Sequence, residues 1–125
     1  MSNKLILVVD DNDINRMLPS VLLKPYGIHV LECSNGWEAL ELIKIQRVDC
    51  MLIDISMPSF TGLDLISHIL KNSKYSEIKL IAYTADAAMQ DEDQFLQLGF
   101  HQVLIKPVSA KDLLSAIGVA QMRAS

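Results

Sequence analysis

Leu5-Ile6-Leu7-Val8-Val9-Asp10-Asp11-Asn12 carries the pattern that decides the fold: five apolar residues without a break, stopped by two carboxylates. An unbroken apolar run of this length suits a strand covered on both faces, as in a parallel sheet, rather than a strand with one wet face. The pattern recurs along the chain. Met51-Leu52-Ile53 stops at Asp54, Leu80-Ile81-Ala82-Tyr83 stops at Thr84, and Val103-Leu104-Ile105 stops at Lys106-Pro107. Residues 28–33, after the turn signal at Gly27, read as a weaker strand. Apolar residues at helical spacing fill the intervals. Ala39, Leu40 and Ile43 follow Asn35-Gly36, and Leu63, Ile66, Ile69 and Leu70 follow Gly62. Phe95 and Leu98 precede Gly99, a C-cap residue, while Leu113, Leu114, Ile117 and Ala120 follow a Ser109 N-cap. Alternating strands and helices imply an α/β domain, with right-handed crossovers and helices on both faces of a parallel sheet. The first helix, over about residues 13–26, contains Pro19 too deep for its first turn. Pro19 is expected to remove a hydrogen bond and kink the helix, the alternative being an ordered helix that starts near Pro19.

Composition bounds the rest. The 125 residues are 50% hydrophobic, enough to fill the core of one domain without a metal or disulfides. That excludes disorder, collagen and a small disulfide scaffold. No apolar run approaches the roughly 18 residues of a membrane span, and Met1 to Val9 lacks the longer apolar core and cleavage site of a signal peptide. A cytoplasmic protein is expected. Eleven basic against fifteen acidic residues give a net charge of −4, which argues against a nucleic-acid surface. Cys33 and Cys50 lack metal-type spacing and read as reduced core thiols.

The chemistry collects at the strand ends. In open α/β sheets, ligands bind beyond the carboxyl ends of the strands, where the strand order reverses. Those ends carry Asp10, Asp11, Asp54, Thr84 and Lys106. Each alone has an ordinary reading as a turn former, a helix cap or a solvated side chain. Together they converge on one edge. Two carboxylates about 4 Å apart repel by roughly 4 kcal/mol at an effective dielectric of 20, so such a cluster raises a pKa or recruits a cation. Hard oxygen ligands on a wet rim suit Mg²⁺, which also accepts phosphate oxygens. Lys106 offers phosphate a point charge and Thr84 a hydroxyl, leaving one carboxylate as a nucleophile for phosphoryl transfer.

The pattern Val8-Val9-Asp10-Asp11-Asn12, then Asp54-Ile55-Ser56-Met57-Pro58 with Gly62, then Thr84-Ala85, then Lys106-Pro107, resembles the receiver domain of two-component response regulators. Asp11 to Arg16 and Thr84-Ala85-Asp86-Ala87 are most similar to receivers of hybrid histidine kinases and phosphorelays. The resemblance covers nearly the whole chain, read as one receiver over residues 1–125. It implies a flavodoxin-like (βα)5 doubly wound sheet of strand order 2-1-3-4-5. Asp54 would be the phosphoacceptor, charged by a phosphohistidine on a sensor histidine kinase or histidine phosphotransfer protein. Asp11, Asp54 and the Ser56 backbone carbonyl would ligate Mg²⁺, with Asp10 acting mostly through water. Thr84 and Lys106 would hold the phosphoryl oxygens, and the Lys106–Pro107 bond would be cis. The chemistry would be self-phosphorylation and dephosphorylation rather than turnover of a substrate. A downstream protein partner, no direct nucleic-acid or membrane contact, and a monomer or weak homodimer are implied. Nothing after the final helix offers a DNA-binding segment, so the chain reads as a stand-alone receiver or one cut from a larger protein.

Several residues depart from the family pattern. Val103 stands three residues before Lys106, where Tyr or Phe is common, and a valine cannot swing between buried and exposed poses. Thr61 replaces a frequent acidic residue in a loop, with little effect expected. Ser56 and Asp86, two residues beyond Asp54 and Thr84, would flank an attacking water and tune the acyl phosphate's lifetime. Trp37 reads as a half-buried surface aromatic, and His29, His68 and His101 as ordinary scattered histidines. Asp91-Glu92-Asp93 reads as a solvated early-helix face. Met17, Leu18 and Val21 read as a docking patch for a helix bundle with Pro19 in its middle, the alternative being plain core packing. Two rivals stand beside the phosphoacceptor. One is a degenerate receiver acting as a phosphorylation-independent scaffold, motivated by Val103 and Pro19. The other, an enzyme or flavin carrier, lacks a glycine-rich phosphate cradle and a Ser, Cys or His nucleophile with a base.

Overall fold

The computed structural model describes residues 4–85 and 89–118. Its strands are β1 (Leu5–Val9), β2 (His29–Cys33), β3 (Cys50–Asp54), β4 (Lys79–Thr84) and β5 (Gln102–Ile105). Its helices are α1 (Asp13–Leu23), α2 (Gly36–Ile45), α3 (Gly62–Leu70), α4 (Met89–Gln97) and α5 (Ala110–Ile117). All strand pairs are parallel, in the order 2-1-3-4-5, with Val9 opposite Ile53 and Asp54 opposite Tyr83. The order reverses between β1 and β3, so the crevice of this doubly wound sheet lies at their carboxyl ends.

Strand alternation builds two cores from each apolar run. Leu7, Val9, Met51, Ile53, Leu80 and Ala82 pack toward α2 and α3. Ile6, Val8, Leu52, Ile81, Tyr83 and Leu104 pack toward α1 and α5. The unbroken runs are thus explained: both faces of the inner strands are dry. Cys33 and Cys50 are buried free thiols. Among the described residues, no helix is long and apolar enough to cross a membrane.

The helical faces differ from expectation in places. In α3 the core takes Leu65, Ile66 and Ile69, whereas Leu63 and Leu70 are exposed, as is Leu98 beyond α4. Two overlapping stripes fit the apolar residues of Gly62–Leu70, and packing against the sheet selects the one centred on Leu65 and Ile66. The Ser109 N-cap and the Gly99 turn, with φ of 116°, are as read. Thr61 does more than occupy a loop. It caps α3 in a reciprocal box, its hydroxyl accepting from the Asp64 N–H while Asp64 Oδ2 accepts from the Thr61 N–H. The helix α1 begins at Asp13 and runs through Pro19, which overturns a start near Pro19; a single tight turn at Lys24–Tyr26 follows. Pro19 itself is buried, so it faces the core rather than the middle of a surface patch. Leu18 also packs inward, and the exposed apolar residues of α1 are Ile14, Met17 and Val21. Trp37 is 60% exposed, more than the half-buried reading, with one ring face stacked 4.1 Å from Phe60. Asp86, Ala87, Ala120 and the side chain of Asp91 lie outside the described residues.

Candidate functional site

The end of β1 is fixed by a short set of hydrogen bonds. The Asp10 N–H donates to the Cys33 carbonyl at 3.1 Å, carrying the β1–β2 pairing one residue further. Asp10 Oδ1 then accepts the Asn12 N–H at 2.9 Å, a turn for which Asp is suited. Asn12 in its turn caps α1, its Oδ1 accepting the Asn15 N–H at 2.9 Å. Arg16 reaches back to the Asp10 carbonyl at 3.0 Å. The outcome is a buried Asp10 followed by an exposed Asp11.

Asp54 is the last residue of β3, the central strand, and its Oδ1 accepts the Ser56 N–H at 3.1 Å. The loop beyond it is pinned by buried Met57 and Phe60, and the Phe60 N–H closes a tight turn on the Pro58 carbonyl at 2.7 Å. Gly62 then brings α3 against the strand end. A Cβ on Gly62 would lie 2.4 Å from the Asp54 carbonyl oxygen, so no side chain fits there.

Thr84 ends β4 and is buried. Its carbonyl accepts the Lys106 N–H at 2.8 Å, which sets Lys106 directly after β5. The Lys106–Pro107 peptide is cis, as the resemblance implied. Lys106 Nζ lies 2.7 Å from Asp10 Oδ2 and 3.4 Å from Asp54 Oδ1. It also sits 4.9 Å from the centre of the Tyr83 ring.

Asp10, Asp11 and Asp54 bring carboxylate oxygens within 4.8 Å of one another. Asp10 Oδ2 is buried and, apart from the Lys106 ion pair, has no hydrogen-bond donor aligned on it. A buried carboxylate oxygen held only by the Lys106 ammonium, beside an exposed carboxylate, is a donor set that fits a hard divalent cation. Thus Asp10, Asp11, Asp54, Thr84, Lys106 and the Ser56 backbone meet at one edge of the sheet.

Two side-chain contacts leave no signal in the sequence, one beside the site and one at the opposite end of β4. Tyr83 reads from the sequence as an apolar strand residue, yet its hydroxyl donates to the Asn15 carbonyl at 3.2 Å. Burial first, then the charges of Asp10 and Asp54, push its phenol up to about 12, so it remains a donor near neutral pH. His101, read as ordinary, accepts the Leu80 N–H on Nδ1 at 2.9 Å and donates its own N–H to the Leu80 carbonyl at 2.7 Å. It thereby extends the β4–β5 pairing backwards. No composition or spacing signal marks either contact.

The family model described as the response regulator receiver domain matches residues 6–118. The chain is 32% identical over 118 residues to the sensor histidine kinase CheAY of Helicobacter pylori, covering 93% of this chain and 15% of that protein's length. It is also 32% identical over 114 residues to the polar-differentiation response regulator DivK of Brucella anthropi, covering 91% and 93%. Among solved structures, the receiver domain of sensor histidine kinase PA1611 from Pseudomonas aeruginosa PAO1 superposes with a TM-score of 0.80 at 28% identity, covering 94% and 99%. That structure holds a magnesium ion coordinated in its active-site cleft.

Proposed function

Since the chain belongs to the response regulator receiver family, we propose that Asp54 is its phosphoacceptor, charged by a phosphohistidine of a sensor histidine kinase or histidine phosphotransfer protein. The observation that carries this reading is the meeting of three carboxylates within 4.8 Å with Lys106 seated on two of them. Asp54 ends the central strand, with Asp10 beyond β1 on one side and Thr84 of β4 on the other. Groups suited to a cation and groups suited to phosphate therefore flank it.

The step is a displacement at phosphorus. An Asp54 carboxylate oxygen forms the new O–P bond while the P–N bond to the donor imidazole breaks and its electron pair stays on the ring nitrogen. Asp10, Asp11, Asp54 and the Ser56 carbonyl would hold Mg²⁺, and the magnesium in the related PA1611 receiver supports that assignment. When bound, Mg²⁺ supplies positive charge that offsets the carboxylates and the incoming phosphoryl oxygens. Lys106 leaves Asp10 for a phosphoryl oxygen, and the Thr84 hydroxyl donates to another. This is self-modification rather than turnover of a substrate.

Ile14, Met17 and Val21 are 77%, 51% and 61% exposed and share one stripe of α1, beside the Asp11 rim. An apolar stripe so placed supports docking of the donor's helix bundle. Output to a downstream partner would use the surface of α4, β5 and α5, biased through the Thr84 and Lys106 loops and without an aromatic gate, since Val103 packs against the α2–α3 core.

Incubation with acetyl phosphate and Mg²⁺ tests the reading. The expected result is a mass increase of one phosphoryl group, stable to acid and labile to base, that disappears in Asp54→Asn and on chelation. An unmodified native chain would overturn it.

A further inference from the structure

Tyr83 stands at a junction that the phosphoacceptor reading does not use. It is fully buried on β4, opposite Asp54 in the register, and its ring lies under the Lys106 ammonium at 4.9 Å. That separation is within the reach of a cation–π contact, which strengthens when water is excluded. The phenol's other end is equally defined. Asn15 lies four residues before Pro19, so its carbonyl is the acceptor that an N–H at position 19 would have filled. Proline has no such N–H, and the Tyr83 hydroxyl takes the place at 3.2 Å. Two residues that look unrelated in sequence therefore complete one another.

We infer that Tyr83 is a positioning residue: its ring face receives the Lys106 ammonium when the ion pair with Asp10 opens, and its hydroxyl pins that ring to α1 at the carbonyl Pro19 leaves open. Lys106 has two kinds of partner, the carboxylates at 2.7 and 3.4 Å and the ring beside them. Were a cation held by Asp10, Asp11 and Asp54, the Lys106 ammonium would give up its place on the carboxylates. With the ring present, the ammonium keeps a neighbour once it leaves Asp10; without it, the ammonium either holds the carboxylates or goes to solvent. The same contact ties Lys106 to α1. This inference rests on the assignment of Asp54 as phosphoacceptor.

Three variants of the whole chain separate the ring from its anchor: Tyr83→Leu, Tyr83→Phe, and Tyr83→Phe combined with Pro19→Ala. Each is measured for Mg²⁺ affinity by calorimetry, for the rate of phosphorylation by acetyl phosphate at saturating Mg²⁺, and for thermal midpoint. Tyr83→Leu is expected to slow phosphorylation about tenfold and to weaken Mg²⁺ binding about threefold, by the loss of a desolvated cation–π contact. Tyr83→Phe keeps the ring and is expected to lose about threefold in rate. Its thermal midpoint falls because the Asn15 carbonyl is orphaned, and Pro19→Ala restores the midpoint by supplying the missing N–H, but not the rate. Rates of all three variants within twofold of the native chain, or rates that follow the thermal midpoint and recover with Pro19→Ala, would overturn the positioning role. Native phosphorylation that survives Asp54→Asn would instead overturn the assignment of Asp54.

Discussion

Gly62 has no room for a side chain, because a Cβ there would press to 2.4 Å on the Asp54 carbonyl oxygen, with Ile55 Cα at 3.0 Å. Both neighbours are backbone at the end of the central strand and neither can swing aside. Gly62→Ala is therefore expected to destabilise the fold by about 1–3 kcal/mol and to slow Asp54 phosphorylation, since relief requires moving Asp54 itself. Urea unfolding and the acetyl phosphate rate check both effects, and an unchanged rate would mean that the strand end tolerates the shift. At this scale the site was legible where chemistry and position coincide. Asp10, Asp11, Asp54, Thr84 and Lys106 each lie at the end of an apolar run, so a parallel sheet brings them to one edge. Tyr83 was illegible because its partner is a backbone carbonyl 68 residues away, and a backbone atom leaves no mark in a sequence.

At the scale of elements, the strands were legible because burial on both faces writes an unbroken apolar run. Helix faces were harder. In α3, Leu63 and Leu65 compete for the core, and only the sheet's position decides that Leu65 is buried. The Thr61–Asp64 capping box has a sequence signal of its own, a Thr three residues before an Asp at the head of an apolar run. For α1, residue spacing cannot tell whether Pro19 faces in or out. The structure turns Pro19 and Leu23 inward and leaves Ile14, Met17 and Val21 outside. If that stripe docks the phosphodonor's helices, Met17→Ala slows transfer from a phosphorylated histidine phosphotransfer protein about tenfold, the size of a moderate interface anchor. Phosphorylation by acetyl phosphate, which needs no docking, is expected to be unchanged. Stopped-flow transfer rates for both donors check this, and an equal effect on the two donors would remove the docking role.

At the scale of the whole molecule, two dry cores on either side of one sheet set the response to alkali. Burial pushes the Cys33 thiol from 9.0 up to about 11 and the Cys50 thiol from 9.0 up to about 12. Above pH 9 the unfolded chain releases thiol protons that the folded chain retains. The unfolded state then binds fewer protons, so stability present below pH 9 is lost as the pH rises toward 11. Urea midpoints between pH 8 and 11 are expected to fall steadily, and to fall less steeply in a Cys33→Ala, Cys50→Ala variant. The fold places its carboxylates where β1 and β3 part, and that placement is the centre of the account. Borohydride reduction tests it most directly, because an aspartyl phosphate is reduced to homoserine at the residue that carried it. After acetyl phosphate treatment with Mg²⁺, peptide mass spectrometry is expected to find homoserine at position 54, and none when the cation is chelated. Homoserine at Asp10 or Asp11 instead, or at no position, would contradict the account.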